Sequence, residues 1–225
     1  MSNYLRLKKM LYIVSLAAVS IVLGLVEITW PIPGASFLKL DFSEVAILVS
    51  LLVLGNKETV VVVLIRSFSR RLFNGFDLAG IVGEMIAMFA SFAIIIGYNI
   101  AKKILKNKEK PLIYEVSVNN NHVSKKEFIV TTLTITLLLT TVLFALNFFI
   151  TTPIYYTIPN PYVPVLSISG RLHFHVFSFI PDSPFSYLEY FWALFVIYMP
   201  FNITKGILVS VVFLMLKPRL KYLEL

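Results

Sequence analysis

The sequence predicts an all-α membrane protein of six transmembrane helices, and three observations carry that expectation. Hydrophobic residues make up 58% of the 225 residues, with a mean hydropathy of +0.83. Several apolar runs exceed the roughly 18 residues that a helix needs to cross a hydrocarbon core. The basic residues gather in alternate loops, as a polytopic topology requires. In lipid each span must satisfy its own backbone hydrogen bonds, which a helix does.

The elements follow in order as one integral membrane domain over residues 1–225. Arg6, Lys8 and Lys9 precede the first expected span, 10–30, which Trp30 can anchor at an interface. Pro31-Ile32-Pro33-Gly34 cannot continue a helix. A short second span is expected over 43–54, with Ser43 as its N-cap. Gly55-Asn56 and Asn74-Gly75 read as turns around a third span, 58–73. The fourth and fifth spans are 77–101 and 128–150, separated by a polar segment holding seven lysines. Residues 151–190 are rich in Pro and aromatics without a run long enough to span, and are expected to pack on the membrane face with a short interfacial helix. The sixth span, 191–216, precedes a basic tail.

Composition excludes several functions. The chain has no cysteine, hence no disulfide, thiolate metal site or cysteine nucleophile. Its three histidines, His122, His173 and His175, fall in loops, so no metal site is expected. The run 10–30 is longer than a signal-peptide core and ends in Trp-Pro-Ile-Pro, so it reads as a retained span. There is no phosphate-binding glycine loop, no His-Glu-x-x-His and no nucleophile elbow, so no enzyme is expected and any ATP hydrolysis must come from a partner. The formal charge of +8 is explained by topology rather than by nucleic acid. Fourteen of the twenty Lys and Arg lie in the N-terminus, the 55–57 turn, the 102–127 segment and the C-terminal tail. Both termini are therefore expected in the cytoplasm, with loops 31–42, 74–76 and 151–190 outside.

That topology brings five polar residues from four spans to a similar depth in the outer half: Arg66, Glu84, Asn147, Asn202 and Lys205. A charge at mid-bilayer costs about 2.5–3.5 kcal/mol on insertion scales and needs a partner, water or a ligand. Asn202 and Lys205 share a helix face. A ligand cavity open to the outer face would explain the group. Glu84 pairing with Arg66 or Lys205 merely to hold the bundle together would explain it too. Arg70 and Arg71 are expected to snorkel to the interface. The small residues Ala17, Ser20 and Gly24 suit either packing within the bundle or docking of a partner helix.

Four segments together resemble a known pattern. They are Phe37-Leu38-Lys39-Leu40-Asp41-Phe42-Ser43-Glu44-Val45, Asp77-Leu78-Ala79-Gly80, Leu146-Asn147-Phe148-Phe149-Ile150-Thr151-Thr152-Pro153-Ile154-Tyr155 and Pro200-Phe201-Asn202-Ile203-Thr204-Lys205-Gly206. In order and spacing the chain resembles the substrate-binding (S) components of energy-coupling factor (ECF) vitamin transporters, most closely the riboflavin-specific type. The resemblance implies a cell-membrane subunit that binds its vitamin in an outward cavity. It implies partners: a transmembrane coupling subunit and two cytoplasmic ATPases. Riboflavin would be transported cargo, and no cofactor is implied. By resemblance, Asn147, Asn202 and Lys205 hold the flavin ring, with further contacts from Lys39, Leu40 and Asp41 and from Gly83 and Glu84. The family's first-span docking motif, Ala-xxx-Ala, has its nearest equivalents here in Ala17, Ala18, Ser20 and Gly24. The chain departs from the pattern at Ala46, where a proline is usual, and at Glu84, where an asparagine is common. Another vitamin or precursor is the alternative cargo, and a membrane assembly or interaction protein is the alternative outside transport.

Overall fold

The computed structural model describes residues 3–31, 38–107, 111–114, 123–152, 171–172, 181–182 and 187–220. Among the described residues six α-helices carry the fold: α1 (Asn3–Leu23), α2 (Ser43–Leu54), α3 (Asn56–Asn74), α4 (Leu78–Ile104), α5 (Lys125–Leu146) and α6 (Tyr187–Leu220). Among the described residues three helical stretches are long and apolar enough to cross a membrane: Leu78–Ile104, Lys125–Thr151 and Tyr190–Leu220. The described residues also form two short antiparallel pairings. β1 (Ile28–Thr29) pairs with β2 (Lys39–Leu40), and β3 (Arg171–Leu172) pairs with β4 (Pro181–Asp182). The interfacial helix expected within 151–190 lies outside the described residues, as do His122, His173 and His175.

The core is built around α2. Its sequence has no polar face, and every residue from Ser43 to Leu54 except Val49 is buried. Twelve residues rise only about 18 Å, so α2 is a core helix rather than a full crossing. It packs against α1, α3, α4 and α6. Gly55 then reverses the chain into α3 with φ of 94°, and Gly75 ends α3 with φ of 86°. Both angles favour a residue without a side chain, as the two turn signals predict.

The helix ends differ from the sequence expectation for local reasons. α1 stops at Leu23 rather than near Trp30, because the β-branched Ile28 and Thr29 leave the helix to form the hairpin with Lys39 and Leu40. Trp30 continues that hairpin through its N–H to the Leu38 carbonyl at 2.9 Å, and its ring meets the edge of Phe201. Ser43 does not cap α2. Ser43 is its first helical residue, Phe42 holds the cap position without a side-chain bond, and the Asp41 carboxylate accepts from the Ser43 N–H at 3.0 Å and from the Ser43 hydroxyl at 2.5 Å. Asp77 caps α4 by accepting from Gly80 N–H at 2.9 Å, and Ser124 caps α5 by accepting from Glu127 N–H at 3.1 Å.

The small residues of α1 are used inside the bundle. Ala17, Ser20 and Gly24 are buried, and the Ser20 hydroxyl donates to the Ser43 carbonyl at 3.0 Å. These three residues pack within the bundle, and Ala18 beside them is exposed.

Two glycines let α5 approach its neighbours closely. A Cβ on Gly97 of α4 would lie 2.9 Å from Ile135 Cα, and one on Gly206 of α6 would lie 2.8 Å from Thr136 Cα. Both obstacles are backbone and cannot swing aside. Gly206→Ala regains about 1 kcal/mol of helix propensity, so Gly206→Val is the clearer test. It is expected to lower stability by about 1–3 kcal/mol, the usual cost of overpacking. Thermal unfolding in detergent checks this, with Ser15→Ala on the exposed face of α1 as the control whose midpoint stays in place.

Candidate ligand-binding cavity

Asn147 ends α5, where the backbone widens into a π-helical turn over Asn147–Thr151. Such turns free a carbonyl and re-aim a side chain. Here the Tyr190 hydroxyl donates to the Phe148 carbonyl at 2.9 Å, and Phe144, Phe148, Phe191 and Phe195 pack ring on ring behind the turn. Asn147 is held buried by this support. α6 runs through Pro200, whose ring nitrogen cannot supply the N–H that a helix directs at residue 196. One turn onward it presents Asn202 and Lys205, both buried.

These groups face a cavity of about 480 Å³. That volume suits a drug-sized ligand. Phe201, Tyr198 and Leu143 give it apolar wall, and α4 contributes Gly83 and Glu84. The β1–β2 hairpin and the turn after it contribute Lys39 and Asp41. Seven of the eight expected ligand-contact residues thus line one space. Leu40 does not: side chains alternate along a strand, and Leu40 points into the buried side opposite Ile28.

Among the described residues, three buried polar atoms of the cavity wall lack a hydrogen-bond partner, the donor Arg71 Nε being one. Asn202 Nδ2 is a buried donor without an acceptor, and Glu84 Oε1 is a buried acceptor without a donor. Burial by itself would raise the Asp41 carboxyl, but the Lys205 ammonium, the Ser43 hydroxyl and the Arg70 guanidinium outweigh it and hold Asp41 below the usual carboxylate range.

The arginines are arranged differently from the sequence expectation. Arg66 does not reach Glu84 or the cavity. It is fully buried, 3.5 Å from Glu44, with its guanidinium donating to Ser91 Oγ at 3.0 Å and to the Ala87 carbonyl at 3.3 Å. Ser91 in turn donates to Glu44 at 2.8 Å. Arg70 and Arg71, expected at the interface, line the cavity instead. Their Nε atoms lie 3.8 and 3.9 Å from Glu84 Oε2. Glu27, outside the expected site, also lines the cavity, where it pairs with Lys39 at 2.5 Å and Arg70 at 3.9 Å. The spacing of Arg66 and Arg70, four apart on one face of α3, is the sequence signal that could have drawn Arg70 inward.

Known proteins share this architecture. The family model described as "ECF transporter, substrate-specific component" matches residues 8–217. The riboflavin transporter RibU of Streptococcus thermophilus is 27% identical over 215 residues, which cover 95% of this chain and 83% of that one. RibU of Staphylococcus aureus is 28% identical, with 95% and 90% covered. A solved structure reported as the S component of a bacterial ECF transporter matches with a TM-score of 0.62 over 96% of both chains, at 24% sequence identity, and shows the shared fold. The chain is a multi-pass protein of the cell membrane and belongs to the substrate-specific components of the ECF transporters.

Proposed function

We propose that this chain is the high-affinity riboflavin-binding subunit of an ECF-type uptake transporter. The observation that carries the reading is the cavity itself. It gathers amide groups from Asn147 and Asn202 and the ammonium of Lys205 against an apolar wall of Tyr198 and Phe201. A flat ring with carbonyls and ring nitrogens needs donors of that kind in an otherwise apolar slot. The names of the two RibU relatives support the same cargo.

The distribution of Lys and Arg supports cytoplasmic termini and a cavity facing outward. In this reading the chain performs no chemistry on the vitamin and needs no cofactor, since riboflavin is cargo. A transmembrane coupling subunit and two cytoplasmic ATPases supply the energy. The exposed Ala18 side of α1 is one surface such a coupling subunit can approach.

Mass spectrometry of the small molecule that co-purifies, followed by thermal unfolding with and without it, tests the assignment. A ligand that binds only the folded state raises the midpoint, by an amount that grows with its concentration over Kd. Riboflavin is expected to co-purify and to raise the midpoint. A membrane assembly protein would show no vitamin-dependent shift.

A further inference from the structure

The wide turn that ends α5 is one of two hydrogen-bonding registers open to its backbone. In it the Thr152 N–H donates to the Asn147 carbonyl, five residues back. A regular α-helix would send that N–H four residues back, to Phe148. The next donor in the wide series would be residue 153, a proline, which has no N–H. The wide register therefore offers the Phe148 carbonyl no backbone donor. Tyr190 supplies one from the start of α6. Its hydroxyl donates to that carbonyl at 2.9 Å, and its ring lies 5.0 Å from the Phe148 ring, centroid to centroid. Tyr190 is 5% exposed, so water does not compete for the bond.

The register sets where the side chains of the turn point. Along an α-helix, residues four apart drift around the axis by about 40° per step. Leu143, Asn147 and Thr151 are spaced by four, yet all three line the cavity. The wide turn takes more residues per revolution and so offsets the drift between Asn147 and Thr151. Return of the Thr152 N–H to the Phe148 carbonyl would tighten the turn and rotate these side chains against each other. Among the described residues neither Phe148 nor Tyr190 lines the cavity, so Tyr190 reaches a bound ligand through the turn.

We propose that Tyr190 is a positioning residue for cargo binding. By occupying the Phe148 carbonyl it holds the turn in its wide register and fixes the Asn147 amide against the flavin ring. The proposal rests on the riboflavin reading and deepens it. The two registers differ by an exchange of hydrogen bonds, so one hydroxyl is enough to choose between them.

The test is a fluorescence-quenching titration of the full-length purified protein, freed of cargo, with riboflavin. It compares the wild type, Tyr190→Phe, Asn147→Ala and the double variant. Tyr190→Phe keeps the ring and its packing on Phe148 and removes only the donor. It is expected to weaken riboflavin binding by about three- to tenfold. In the Asn147→Ala background the same change is expected to cost less than about twofold, because the residue through which it acts is gone. The visible absorption band of the bound flavin is the second readout, since a hydrogen bond to the ring shifts it. Tyr190→Phe is expected to move that band toward its position in Asn147→Ala, and this spectrum decides the matter if the double variant does not fold. A purely structural role would lower the thermal midpoint, give equal losses in both backgrounds and leave the band in place. That result overturns the proposal, as does Tyr190→Phe binding riboflavin as tightly as the wild type. Either outcome leaves the riboflavin reading standing. Folded wild type that binds no riboflavin overturns both.

Discussion

Arg66→Ala is expected to lower the unfolding free energy by about 3–5 kcal/mol, the cost of leaving a buried charge without its partner. Against the roughly 5–15 kcal/mol that holds a typical protein folded, this is close to loss of the native state. The reason is local. Arg66 is 0% exposed, and Glu44, 3.5 Å away, is 1% exposed. Neither can reach water if the other is removed. Ser91, which accepts from Arg66 and donates to Glu44, would lose the donor that links it to α3. Replacing both charges with apolar residues of similar volume, Glu44→Leu with Arg66→Met, is expected to recover most of the loss, because no uncompensated charge remains. Thermal and denaturant unfolding in detergent read both effects. A single variant no less stable than Ser15→Ala would contradict the account of this pair.

Lys205→Ala is expected to weaken riboflavin binding by on the order of 10–100-fold, the range of a hydrogen bond to a charged group. Lys205 is 7% exposed at the cavity wall, and its charge helps to hold Asp41 ionised. Asn147→Ala is expected to weaken binding by about tenfold, as loss of a neutral hydrogen bond does. Both variants are expected to leave the bundle assembled, since neither residue belongs to the buried Glu44–Arg66 pair. Equilibrium titration with size-exclusion profiles as the folding control measures this. Unchanged affinity in both variants would remove these residues from the site.

Much of this arrangement is legible in the sequence because the bilayer simplifies the problem. Long apolar runs and the Gly55 and Gly75 turns place the helices, and polar residues inside such runs stand out against them. Asn147, Asn202 and Lys205 are conspicuous for that reason. Which charge meets which is a different matter. Glu44 opens α2 and reads as a first-turn acid, yet the tight packing of α2 against α3 and α4 buries it against Arg66. Arg70 and Arg71 sit near the end of their helix, where an arginine ordinarily reaches for the interface. They turn inward because Glu84 and Glu27 offer carboxylates there. Such pairings depend on helix rotation and tilt, which hydropathy does not encode. Leu40 fails for a simpler reason: the two-residue strand that alternates its side chain away from Lys39 is too short to leave a periodic signal.

The central claim is that this cavity binds riboflavin. A titration of the purified, cargo-free protein with riboflavin, followed by quenching of flavin fluorescence, tests it most directly. The account predicts saturable quenching at one flavin per chain with a submicromolar Kd, equivalent to more than about 8 kcal/mol of binding free energy. Folded protein that leaves flavin fluorescence unchanged at micromolar concentration would contradict it.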